Sequence, residues 1–227
     1  MSATCAMAAP SAACSELRAP RRATCAASRP AGPRNGRFAH SPTTRRASSR
    51  HRMSDVRASS ESVVASGPTT FLYKQVELET KFGIALFDIT PQIREAVKEA
   101  AVAHGTVHVV SRHTTTAVTI NEMEDRLIDD VRQWCLKMAP PTHPYLHNDI
   151  HLRDGPPDWP GGNEAWRAQE PINAHSHLLS MMLGNTASIP VVGGDLVIGT
   201  WQSVILVELD GPRTRTVGVQ VVGVEGA

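Results

Sequence analysis

The sequence predicts an α+β domain, and three observations carry that prediction. Runs rich in Val, Ile, Thr, Phe and Tyr fall in groups of two or three, as consecutive strands do. Stretches with helical spacing of apolar residues follow Thr90-Pro91 and Asn121, both of which suit helix starts. Gly193-Gly194 and Asp210-Gly211 separate the last strand-like runs and suit tight hairpin turns. The expected order is ββ-α-ββ-α, a long irregular stretch, then α-βββ, which makes about seven strands and three helices.

Residues 69–80 alternate loosely and read as the first strand, with 81–88 as the second. Ile93, Ala96, Val97 and Ala100 then recur at helical spacing, and Gly105 is the expected C-cap. Residues 106–111 and 114–120 are the next two strands. Asn121 is the expected cap of a helix with Glu122, Glu124 and Asp125 at its positive end, and three prolines within 139–144 stop it. Residues 145–172 are dense in Pro, Gly and Trp. A stretch of that length without regular structure is uncommon in a compact domain, so it reads as an ordered lid or site wall. Asn173 caps a short helix through Leu183, and strands follow over 187–192, 196–209 and 214–222.

Residues 1–62 differ in kind from residues 63–227. They hold eleven Arg and no Lys against only Glu16, Asp55 and Glu61, a net of +8, whereas the remainder has 12 basic and 19 acidic residues, a net of −7. Large apolar side chains are too few there to offset the ordering entropy of a fold. The Arg- and Ser-rich, acid-poor composition reads as a disordered, transit-peptide-like segment. Its Ala, Ser, Pro and Thr favour the chloroplast, with the mitochondrion as the alternative; a plain basic tail, or a start at Met53 and a cytoplasmic protein, are the other readings. No apolar stretch reaches the ~20 residues that span a bilayer, so no membrane partner is expected. The acidic main domain disfavours nucleic acid. Outside the leader Cys135 is alone, on the buried face of a helix, and reads as a structural thiol.

Eight histidines concentrate in the main domain. His147 and His151 are four apart, but neighbouring Pro and Gly argue against a shared helix face, so they are not a helical zinc motif. His175 and His177 lie roughly 200° apart around a helix. Imidazoles and carboxylates without a Cys pair would suit zinc or a similar divalent ion. His113, followed by Thr114-Thr115-Thr116 and then Asn121-Glu122, supplies general acid-base groups and phosphate hydrogen-bond partners; plain strand formers would give the same threonines.

The pieces Arg112-His113-Thr114-Thr115-Thr116-Ala117-Val118-Thr119-Ile120-Asn121-Glu122, Tyr145-Leu146-His147-Asn148-Asp149, Ser176-His177-Leu178 and Gly199-Thr200-Trp201-Gln202 together resemble the YjbQ family. That family carries the label of secondary thiamine-phosphate synthase. The resemblance implies a two-sheet β-sandwich assembled as a homotrimer. It also implies an enzyme that joins a pyrimidine diphosphate to a thiazole phosphate and releases pyrophosphate. On that resemblance His113, Asn121 and Glu122 are expected to be catalytic. Arg112, Thr115, Asp149, Arg153 and Gln202 would bind a small-molecule phosphate substrate. His147, His177 and His113 would hold a divalent ion, zinc or magnesium. The other readings are a non-catalytic metabolite- or metal-binding trimer, and a zinc-dependent hydrolase with Glu122 activating water. On the same resemblance, residues 150–172 are expected to form an insertion that many bacterial relatives lack.

Overall fold

The computed structural model describes residues 62–226; residues 1–61, which make up nearly all of the expected leader, lie outside them. Among the described residues, eight strands and four α-helices form an α+β domain with two antiparallel sheets. The larger sheet has the order β1-β8-β3-β5-β6, from β1 (Thr69–Glu79), β8 (Thr214–Glu225), β3 (Val102–Ser111), β5 (Thr186–Val192) and β6 (Asp195–Leu196). The smaller has the order β2-β7-β4, from β2 (Gly83–Asp88), β7 (Ser203–Gly211) and β4 (Thr116–Asn121).

The main core lies between the sheets. Val107, Val109, Val217, Val219 and Val221 of the large sheet pack with Val118, Val204 and Leu206 of the small one. Helix α1 (Thr90–Glu99) adds Ile93, Ala96 and Val97 to that core. A second core, holding Ala117, Ile205, Val207, Leu209, Cys135 and Leu179, covers the opposite face of the small sheet. It is roofed by α2 (Asp125–Met138) and α4 (Ala174–Leu183). Strand β7 is therefore apolar on both faces, and its run Val204–Leu209 is buried without alternation. Cys135 is fully buried, and burial pushes its thiol up.

Several expected boundaries move, each for a physical reason. Helix α1 ends at Ala100, where Ala101 takes positive φ (52°), so the chain enters β3 four residues before the expected strand. Gly105 is not a cap: it pairs with Gly223 inside the sheet, where a Cβ would strike the backbone of Val222. The Thr90 hydroxyl does not cap α1. It accepts from Val204 N (2.8 Å), while Asp88 Oδ1 takes Thr90 N (2.8 Å). Helix α2 is capped by Glu124, whose carboxylate accepts from Arg126 N and Leu127 N (2.9 and 2.7 Å), and not by Asn121. The single strand expected over 196–209 is β6 and β7, divided by a turn at 199–202 and placed in different sheets. Gly193-Gly194 joins β5 to β6 as a hairpin, but the Asp210-Gly211 region carries the chain from one sheet to the other, with Gly211–Pro212 cis. The irregular stretch contains two 3-10 turns, Leu146–Asn148 and Ile150–Leu152, and a further helix, α3 (Gly162–Gln169).

Candidate functional site

Two chain crossovers between the sheets lie side by side. Residues 112–115 lead from β3 to β4, and residues 212–213 from β7 to β8. Backbone bonds lock them together: Arg112 N donates to Thr216 O (3.1 Å) and Leu209 N to Thr115 O (3.2 Å). The start of α4 and the residues just before it, Glu170 and Pro171, close over this corner. The result is a cleft of about 340 Å³ lined by Arg112, His113, Thr114, Thr115, Glu170, Pro171, Asn173, His177, Asp210, Arg213 and Arg215.

Its floor is a buried ion pair. Glu208 is fully buried and Arg215 nearly so. Arg215 donates through Nε and Nη2 to both carboxylate oxygens (2.6 Å each), and Nη2 also reaches Thr115 Oγ1 (3.0 Å). Thr80 Oγ1, Leu209 N and Asp210 N fill the remaining acceptor positions of Glu208 (2.7, 2.9 and 2.8 Å). Burial alone would raise the Glu208 carboxyl, but the Arg215 guanidinium, the Asp210 amide and the Thr80 hydroxyl together hold it below the usual range. Nearer the surface, Arg213 Nη2 donates to Asp210 Oδ2 (3.1 Å), which also accepts from Asn173 Nδ2 (2.7 Å). Arg112 Nη1 donates to Gln75 Oε1 (3.0 Å), an uncharged partner that leaves its positive charge uncompensated by that contact.

His113 is fixed in one tautomer. Its Nε2 accepts from Thr216 N (2.8 Å), so the neutral ring carries its proton on Nδ1 and presents a donor there. Burial lowers its pKa first of all, and the charge of Arg215 lowers it further, so the ring stays neutral at pH 7. The engaged Nε2 lone pair is not available to a metal. Among the described residues, moreover, no three His, Cys, Asp or Glu side chains converge as a ligand set, so the expected trio of His113, His147 and His177 is not assembled.

Helix α4 presents its small polar face to the small sheet. Ser176 Oγ donates to Leu209 O and Ser180 Oγ to Thr116 O (2.6 Å each). That anchoring turns His177 toward the cleft, where burial and then the neighbouring His147 lower its pKa. The His147 and His177 rings meet edge to face, with centroids 4.8 Å apart at 71°. His147 Nε2 is buried without a partner among the described residues. A neutral imidazole can take or relay a proton, and His177 is the ring of the cleft that keeps that capacity.

The other expected residues lie elsewhere. Asn121 and Glu122 are exposed at the far end of β4, five residues from Thr116, roughly 17 Å at about 3.4 Å per residue. Asn121 Oδ1 accepts from Glu122 N (2.9 Å). Gln202 sits at that same far end, since Asn121 pairs with Ser203, and its Oε1 accepts from Gly199 N (2.7 Å). Asp149 does not line the cleft. Arg153 is spent internally: it donates to His147 O (3.0 Å) and Glu170 Oε1 (2.9 Å), and its guanidinium carbon stands 5.1 Å over the Trp166 ring. Glu170, Asn173, Glu208, Asp210, Arg213 and Arg215 were not expected. A signal for two of them was present: Glu208 interrupts an apolar run, and Arg215 follows seven residues later, as a buried charge and its partner do.

Residues 74–224 match the family described as UPF0047 protein YjbQ-like. The chain belongs to that family. A UPF0047 protein of Methanothermobacter thermautotrophicus is 33% identical over 150 residues, which cover 66% of this chain and 91% of the relative. Among solved structures, a YbjQ-like protein of unknown function from Sulfolobus solfataricus is 30% identical, with a TM-score of 0.59 over 69% of this chain and 99% of that one. A hypothetical protein from Aeropyrum pernix is 32% identical, with a TM-score of 0.57 over 67% and 98%. These YjbQ-like relatives overturn the expected activity. They are named only as UPF0047, hypothetical or unknown-function proteins, and nothing in them indicates thiamine-phosphate synthesis, so that function is withdrawn.

Proposed function

We propose that this YjbQ-like domain binds a small phosphate-bearing molecule in the cleft between the two crossovers. The observation that supports this most is a cleft lined by Arg112, whose bonded partner is the uncharged Gln75, together with His113, Thr114, Arg213 and Arg215. Donors fixed before the ligand arrives bind an anion without reorganisation, and guanidinium groups suit phosphate oxygens. The overall charge of −7 in residues 63–227 does not oppose this: Glu208 pairs with Arg215, Asp210 with Arg213 and Glu170 with Arg153, which leaves Arg112, bonded to the uncharged Gln75, as the net positive charge of the cleft.

Calorimetric titration with inorganic phosphate tests the reading. The wild-type protein is expected to bind it, and Arg112→Gln is expected to weaken binding about tenfold, the loss of one charge-assisted contact. Arg112 is exposed, so the variant should melt where the parent does. Absence of phosphate binding, or equal affinity in the variant, would remove the proposal.

A further inference from the structure

A second cavity, of about 390 Å³, lies beside the polar cleft; it is lined by Thr114, His177, Ser180, Met181, Gly184 and Asn185, and so shares Thr114 and His177 with the cleft. The two chambers differ in chemistry. The first holds the arginines and the fixed His113 donor. Among the described residues, no Asp, Glu, Lys or Arg lines the second. Its Ser180 hydroxyl is already committed to Thr116 O (2.6 Å), Gly184 brings no side chain, Asn185 brings an uncharged amide, and Met181, 82% exposed, supplies apolar, adaptable surface at the rim. Each chamber alone is at the small end of ligand sites, which run from roughly 300 to 1,000 Å³; the joined pair falls well inside that range.

We infer that the two cavities form one bipartite site for a phosphate monoester, whose phosphate lies against His113 and the arginines and whose uncharged body passes Thr114 and His177 into the second cavity. This rests on the anion-binding reading above and adds what the remainder of the ligand must be. A free phosphate leaves the second chamber to water. A ligand charged at both ends would place its second charge against Met181. An ester with a compact uncharged body, about one ring in size, suits both chambers.

The test compares methyl phosphate with phenyl phosphate on the full chain by calorimetry. At about pH 8 both esters are dianions, since their second ionisation lies near pH ~6, so only the body differs. Phenyl phosphate is expected to bind about tenfold tighter, and Met181→Gln is expected to cut that ratio to about threefold as the chamber becomes more polar. Equal affinities for the two esters in the wild type would overturn the bipartite site and leave the anion reading standing. A preference for phenyl that Met181→Gln leaves untouched would also overturn it, because the ring would then sit elsewhere. If neither ester binds, the anion reading falls and the bipartite site falls with it.

Discussion

Glu208 and Arg215 show how one buried charge organises its surroundings. A carboxylate removed from water is costly unless every lone pair is engaged, and Glu208 meets that condition with five donors from two side chains and two backbone amides. The same arrangement holds Arg215 rigid under the cleft. Glu208→Gln keeps the shape but leaves the guanidinium without its counter-charge. A loss of about 3 kcal/mol is expected, seen as a melting point lower by roughly 6–12 °C for a domain of this size. A drop of only about 1 °C would show that the pair stabilises little. At this scale the sequence was partly legible. His113, His177, Thr115 and Arg112 were expected at a site because their chemistry is visible in a string of letters. Asn121 and Glu122 are expected with them on the motif that carries the family resemblance, but the strand between runs in a straight line away from the cleft. Arg213 and Arg215 were missed for the converse reason: they come close to His113 only through a sheet crossover.

Among the elements, the stretch 145–172 is the one whose state can be read directly. It is held by Arg153, which joins the His147 carbonyl, the Glu170 carboxylate and the face of Trp166. A second clasp at Asp154 binds Asn163 Nδ2 (2.7 Å) and Arg167 Nη2 (3.0 Å). Arg153→Ala removes the first clasp only. Amide exchange in residues 145–172 should then quicken by about tenfold or more, while the strands of both sheets keep their protection. Exchange unchanged in that stretch would mean that Asp154 and the burial of Trp166 suffice to hold it. Composition marks this stretch as ordered but does not mark α3, because that helix opens at Gly162 behind an N-cap glycine, Gly161, without a side-chain cap. The strand expected over 196–209 failed in a different way. Strand β7 is buried on both faces, so its apolar run carries no alternation to mark where it begins. The turn at 199–202 that separates it from β6 was read as part of the run. By contrast β1 alternates one face out and one face in along all eleven residues, and its limits were read to within one residue.

For the whole molecule, three partly buried histidines, two of them in the cleft, tie stability to pH. Burial lowers His113, His175 and His177 below their usual value of 6.5; Arg215 adds to this at His113 and His147 at His177, and Asp210 opposes it at His175 and His177. The sign follows from proton counting. Each group binds its proton at higher pH in the unfolded chain than in the fold. Below about pH 6.5 the unfolded state therefore holds more protons, and acid favours it. The contribution of these rings is complete above pH 6.5 and is lost as the pH falls through their folded values. Glu208, held low in the fold, adds a further loss only in stronger acid, below its unfolded value of 4.5. The urea midpoint should accordingly stay level from about pH 8 to pH 7 and fall between about pH 6.5 and pH 5, before any carboxylate contribution begins. His177→Gln, which cannot take up a proton, should flatten that fall without removing it, since His113 and His175 remain. A midpoint that holds steady down to pH 5 would show that these rings titrate alike in the folded and unfolded chain. The description of His113 as a fixed neutral donor would then lose its support. A fall of equal steepness in wild type and variant would place the effect on His113 and His175 alone, and would separate the ring shared by the two cavities from the ring fixed at the crossover.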